Sequence, residues 1–245
     1  MSLVLAPAKL TWYLEVTARR SDGYHVLRSE MVSLALCDRL TFSDGSGVEF
    51  HGVRRGVVGL NGTDNLVSKA LAFTGRDAHV VVEKNIPLGG GLGGGSADAA
   101  AVLRWAGLDD LNQAVQLGGD VPFCLVGGRA LVEGIGEIVR PLPFQERTVT
   151  LFLPSFSVNT AQCYRAFDEL GGSPGGRNHL TEAAWKVEPR QRELMAWIDA
   201  NYGASVLAGS GSTVFVEGDV LGSPSATVAS PVGEVEILVT RTIPA

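Results

Sequence analysis

A chain of 245 residues, 45% apolar and 19% charged, has the composition of a globular protein and is long enough for one large core or two small ones. Its net charge of −6 argues against nucleic acid or an anionic membrane as the main partner, and no apolar run reaches membrane-spanning length. Three cysteines, Cys37, Cys124 and Cys163, lie far apart without CxxC spacing, which excludes a disulfide framework or a cysteine zinc site and fits free thiols in a reducing compartment.

The opening segment MSLVLAPAKLTWYLEV has no basic n-region and Lys9 interrupts its apolar run, so no signal peptide is expected and a cytoplasmic location is. Residues 3–18 alternate imperfectly and are rich in strand formers, which predicts one or two strands around Pro7. Asp22-Gly23 marks a turn, and residues 29–43 and 47–53 read as further strands. TDNLVSKALAFTG (63–75) predicts a short amphipathic helix with Thr63 or Asp64 as its N-cap. HVVVEKNIP (79–87) reads as a strand feeding a glycine loop, and Ser96 to Ala106 as the helix leaving it. A short helix in LNQAVQLG follows, then VPFCLVGGRALVEGIGEIVRPLP (121–143), read as a pair of strands with glycine turns. RPLPFQERT, with two prolines and charges, is the candidate boundary and divides residues 1–143 from 144–245. Beyond it VTLFLPS reads as a strand, NTAQCYRAFDEL and PRQRELMAWIDANYG as helices, and ASVLAGSGSTVFVEGD and VEILVTRTI as strands; GGSPGG (171–176) reads as a flexible loop. Strands and helices mixed without a regular βαβ rhythm give the fold class α+β.

The densest signal is NIPLGGGLGGGSADAAAVL, which places six glycines in the seven positions 89–95. Glycine loses more freedom on folding than any other residue, so the cluster implies a close backbone approach to something. A strand, a glycine turn and a helix N-terminus together form an anion site, because unpaired N–H groups and the positive end of the helix dipole point at the ligand. The loop is not a Walker A loop, since no lysine precedes Ser96 within the run. Gly89, Gly91 and Gly94 satisfy GxGxxG, but that match is nearly automatic in so dense a run, and Asp109 and Asp110 do not end a strand.

IPLGGGLGGGSADAA resembles the second signature of the GHMP small-molecule kinases. APAKLTWYLEVTARRSDGYHVLRS, LGGDVPFCLVGGRALVEGIGE and LAGSGSTVFVEG fit the same family in order and at suitable spacing, from about residue 5 to residue 217. The DGYH and GDVPF stretches resemble the member of that family whose substrate carries a cytidine diphosphate. The resemblance implies a ribosomal-protein-S5-like N-terminal domain, a ferredoxin-like C-terminal domain and an active site in the cleft between them. It implies ATP and Mg²⁺, a small-molecule cytidine diphosphate substrate, and a monomer or weak homodimer.

Carried onto this sequence, the resemblance makes Asp120 the catalytic base and Lys9 the cation that stabilises charge on the attacking oxygen. Pro87, Gly89, Gly90, Gly91, Leu92, Gly93, Gly94, Gly95 and Ser96 would grip ATP, with Asn65 at the adenine. Tyr24 would stack on cytosine and His25 would hydrogen-bond its Watson–Crick edge, with Thr11, Gly209, Ser210 and Gly211 also on the substrate side. Tyr164 and Phe167 are candidates for a second aromatic against the base. The 209–213 turn would lend N–H groups to the substrate side or brace the glycine loop; alone, each residue has a plainer reading: Asp120 as a turn or cap, Lys9 as an edge-strand lysine, Asn65 as a helix cap, and 209–213 as an ordinary hairpin turn. Two departures bear on the metal and the substrate. Thr11 stands where the family usually has asparagine, and Ser96-Ala97-Asp98 where it usually has Ser-Ser-Asn, so that Ser96 or Asp98 is a candidate metal ligand.

Overall fold

The computed structural model describes residues 1–52, 65–172 and 175–245. Two long strands, β1 (Ser2–Arg19) and β2 (His25–Ser43), pair antiparallel along most of their length and form the spine. Their turn closes where Asp22-Gly23 predicts it, with Gly23 at φ 90° and the Tyr24 N–H donating to Asp22 Oδ1. Pro7 has no N–H to donate to the ladder, and the register shifts between Pro7 and Lys9; one bulged strand stands where one or two were expected.

β3 (Gly47–Gly52) and β4 (His79–Lys84) extend one side of β2. α1 (Leu66–Thr74) lies between them in sequence. Its N-cap is Asn65, whose side chain accepts from the Ser68 N–H at 2.8 Å, in place of the expected Thr63 or Asp64, which lie outside the described residues. α2 (Gly94–Ala106) starts two residues earlier than predicted. It is buried from Ala97 to Leu103: its alanine run lets it lie close against β1 and β2, with Val102 and Leu103 in the same core.

α3 (Leu111–Ala114) is followed by a correction. Val121–Val126, expected as a strand, is α4, a single helical turn and a half. A six-residue apolar run does not distinguish strand from helix by period; Pro122 suits the first turn, and Gly127 ends the helix at a positive φ. β5 (Arg129–Gly134) and β6 (Ile138–Pro141) then form the expected hairpin against β2.

After residues 142–147 the chain enters β7 (Thr148–Pro154) and α5 (Thr160–Glu169). α6 (Thr181–Val187), which the sequence reading passed over, precedes α7 (Arg190–Asn201). β8 (Val206–Leu207) and β9 (Val214–Glu217) flank the 208–213 turn. β10 (Ser225–Ser230), also not anticipated, pairs with β11 (Gly233–Ile243). The three helices and these strands enclose a second cluster around Phe152, Leu194, Ile198 and Ile237. β11 pairs with β7 along its middle and with Ser33 and Leu34 of β2 at its end, so the two sheets are continuous through it. Among the described residues no helix is long and apolar enough to cross a membrane.

Candidate active site

A cleft of about 1170 Å³ runs between the two parts of the chain, from the glycine loop to the β1–β2 turn. At one end lie Pro87 and Gly89 to Ser96, and at the other Tyr24, His25, Tyr164 and Asp168. Gly93, at φ 69°, caps α2 without any side-chain hydrogen bond, so the first N–H groups of a 13-residue helix are left to the cleft.

The glycines answer first to the protein itself. A Cβ on Gly91 would run into the Ala208 carbonyl oxygen and come within 2.9 Å of that of Gly211. A Cβ on Gly93 would come within 2.6 Å of Lys9 Cγ. The loop lies tight between β1 and the 208–213 turn, and the Thr213 N–H donates to the Gly90 carbonyl at 3.1 Å. The 208–213 turn therefore braces the glycine loop, the second of the two roles open to it. Gly209 and Ser210 reach the cleft, whereas Gly211 packs between Leu207 and Gln191. Leu92, within the loop, sends its side chain into the core, so only its backbone is on the cleft side. Asn65 serves as the cap of α1, and its neighbour Leu66 lines the cleft.

Lys9 and Thr11 share a strand face because side chains alternate along β1. Lys9 Nζ donates to Thr11 Oγ1 at 3.2 Å and lies 3.1 Å from Asp120 Oδ2. The lysine is buried while about a third of the Asp120 side chain stays accessible, so the carboxylate is presented to the cleft. Asp120 sits at the N-cap position of α4 but makes no side-chain cap bond, which leaves it open to other partners. The strand, the pre-helix turn and the glycine loop thus converge at one point, with Lys9 between the latter two.

At the far end both Tyr24 and His25 line the cleft. Tyr24 is exposed, and the ring that stacks there is His25, parallel to Tyr164 at 4.8 Å with Phe167 edge-on at 6.0 Å. Tyr164, not Phe167, lines the cleft; burial pushes its phenol well above the ordinary tyrosine range, so it stays a neutral donor.

Asp98 is held away from the cleft. It is buried, with Oδ2 accepting from Lys84 Nζ at 2.6 Å, and Lys84 also pairs with buried Asp38. Asp38 accepts from the backbone N–H groups of Asn85 and Ile86 as well, tying the end of β4 to β2 just ahead of the glycine loop. Asp98 Oδ1 has no partner, and burial drives its carboxyl up to about 7 against the pull of Lys84. An acid so enclosed is not a metal ligand for the cleft. This triad is not legible in the sequence, since its members lie 14 and 46 residues apart. It also missed buried Asn178, whose amide donates to the carbonyls of Leu207 and Gly209 at 2.8 and 2.7 Å and fixes the bracing turn.

Residues 65–128 match the GHMP kinases N terminal domain. A 4-diphosphocytidyl-2-C-methyl-D-erythritol kinase from Desulfitobacterium hafniense (strain Y51) is 34% identical, with 86% of this chain and 85% of that protein aligned. A protein of the same name from Pseudothermotoga lettingae is 41% identical over 78% of this chain and 75% of its own length. A crystal structure of 4-(cytidine 5'-diphospho)-2C-methyl-D-erythritol kinase matches over 100% of both chains, with a TM-score of 0.75 at 29% identity. L. major mevalonate kinase matches at 0.66 with 10% identity, which is a likeness of fold alone. The chain belongs to the GHMP kinase family and, as a kinase of that family, uses ATP. Within the family it groups with the 4-diphosphocytidyl-2-C-methyl-D-erythritol kinases.

Proposed function

We propose that the protein transfers the γ-phosphoryl group of ATP to the 2-hydroxyl of 4-diphosphocytidyl-2-C-methyl-D-erythritol, in the non-mevalonate route to isoprenoid precursors. The observation that carries the residue roles is the Lys9–Asp120 pair, 3.1 Å apart, in the same cleft as the glycine loop and the His25–Tyr164 stack. The names of the relatives support the substrate.

In this reading Asp120 Oδ1, the oxygen not paired with Lys9, takes the proton of the substrate hydroxyl. The hydroxyl oxygen forms its bond to the γ-phosphorus as the bond to the β–γ bridging oxygen breaks, and ADP leaves with that electron pair. Lys9, steadied by Thr11, offsets negative charge on the attacking oxygen. The backbone of Gly89–Gly95 and the uncapped start of α2 hold the phosphates. A polyphosphate fits there because the donors are backbone groups in a loop whose outer face lines the cleft. Mg²⁺ would be held by Ser96 Oγ and the phosphates themselves, a donor set rich in oxygen that suits it, and when bound it neutralises phosphate charge. Among the described residues no group of three or more carboxylate, histidine or cysteine side chains gathers at this place. Residues 1–143 carry the loop, Lys9 and Asp120, and 144–245 bring Tyr164 and the brace. Every side chain used comes from one chain, so a monomer suffices, and a cytoplasmic location belongs to the same proposal.

A coupled assay of ADP release with the cytidyl substrate, mevalonate and homoserine tests it. Turnover is expected with the first alone. Comparable turnover with mevalonate would overturn the substrate assignment and leave family membership standing.

A further inference from the structure

His25 opens β2 with its ring about nine-tenths buried, and its Nε2 lies 2.7 Å from Asp168 Oδ1 in the last turn of α5. The second oxygen of that carboxylate faces Arg19 Nη1 at 3.4 Å, which fixes how the carboxylate is turned. Tyr164 stacks on a face of the imidazole, within 24° of parallel. Arg19, His25, Tyr164 and Asp168 all line the far end of the cleft, brought together from segments more than a hundred residues apart.

An ionised carboxylate only accepts hydrogen bonds, so this contact requires the proton on Nε2. A histidine without such a partner exchanges its tautomers and offers a donor or an acceptor as the ligand demands, and so pairs with either pyrimidine. With Nε2–H committed to α5, only Nδ1 remains for a ligand. In the neutral ring that atom is a lone pair. It matches the exocyclic amino group of cytosine and opposes the carbonyl that uracil carries in its place.

We propose that Asp168 is a positioning residue that sets the hydrogen-bonding polarity of His25, and through it the preference for cytosine over uracil. This rests on reading the far end of the cleft as the base subsite. The side chain acts through the imidazole and need not touch the base.

Titration calorimetry of the full chain with cytidine diphosphate and uridine diphosphate, paired with nitrogen-15 NMR of the histidines, tests the inference. The wild type is expected to favour the cytidine nucleotide by about tenfold or more. Asp168→Leu should bring the two affinities within about threefold while leaving the binding of an ATP analogue unchanged. Asp168→Asn, whose amide oxygen still accepts from Nε2, should keep most of the preference. The His25 signal, identified by its loss in His25→Gln, should show a proton on Nε2 in the wild type and mixed tautomers in Asp168→Leu. An unchanged preference in a folded Asp168→Leu protein would overturn the inference. If His25→Ala then abolishes the preference, the base subsite stands and only the role of Asp168 falls. If the wild type shows no preference, or His25→Ala leaves it intact, the base-subsite reading falls with it.

Discussion

At the phosphate end of the cleft the polar surface is backbone: glycine N–H groups and the uncapped start of α2, clamped between β1 and the 208–213 turn. At the other end it is side chains, with an imidazole, a phenol, a guanidinium and a carboxylate drawn from two distant segments. A backbone site is rigid, indifferent to what the phosphate is attached to, and intolerant of any added carbon where the loop meets the protein. A side-chain site reads donors and acceptors, and it changes its choice of ligand when one residue is altered. The Lys9–Asp120 pair stands where the two meet.

The largest effect is expected at that meeting point. Asp120→Asn keeps the shape of the side chain and the fold but removes the proton acceptor, so turnover should fall by roughly two or more orders of magnitude. ATP-analogue binding and the melting temperature should change little. Near-normal steady-state turnover in a folded variant would remove Asp120 from the role of base.

A second effect separates the glycines from one another. Gly91→Ala sets a methyl group against the immovable carbonyls of Ala208 and Gly211 at a positive φ, whereas at Gly95 the new carbon would meet only the end of the Leu66 side chain at 3.3 Å. Gly91→Ala should lower the melting temperature by several degrees and Gly95→Ala by much less. Equal losses in a thermal melt would mean that the brace does not hold the loop.

At the side-chain end, Tyr164→Ala should raise KM for the cytidyl substrate by about tenfold with little change in kcat, because a stacked ring is worth about 1–3 kcal/mol. Tyr24→Ala, which removes an exposed ring, should have the smaller effect. The reverse order in steady-state kinetics would make Tyr24 the principal stacking partner.

The smallest effect concerns the charge triad behind the loop. The folded Asp98 carboxyl is raised from 3.8 to about 7, so the folded state holds that proton more tightly than the unfolded chain. The stability this contributes is complete below about pH 4 and is lost as pH rises through 7. Asp98→Asn removes the titration while Asp38 still partners Lys84. The variant should therefore gain on the wild type, in melting temperature, from pH 5 to pH 8. A difference that stays flat with pH would mean that Asp98 does not titrate there.

The two ends were not equally legible in the sequence. The phosphate end is one contiguous segment, and strand, glycine run and helix announce themselves by composition and period. Lys9 and Asp120 were legible through the family's motifs, since each alone reads as a plain strand lysine and a helix cap. The Tyr24-His25 segment was also found, but not the side chains around it. Asp168 and Arg19 are ordinary surface residues on a helix and a strand end until the fold brings them to one imidazole. Asp98 misled for a related reason: adjacency to the loop suggested a ligand, while its place in the second turn of α2 points it inward at Lys84, whose own strand gave no hint of a buried charge. The strand expected at 121–126 failed because a short apolar run carries no period, and α6 was missed because its seven residues make too little pattern to register.

The division of labour along the cleft is tested most directly by crossed calorimetric titrations of a non-hydrolysable ATP analogue and cytidine diphosphate, against wild type, Gly95→Val and Tyr164→Ala. At Gly95 the branched side chain enters the cleft above a yielding leucine, and at Tyr164 the stacked ring is lost. Gly95→Val should weaken the ATP analogue by about tenfold or more and spare cytidine diphosphate, and Tyr164→Ala should do the opposite. Parallel losses of both ligands in both variants would contradict two separately built ends.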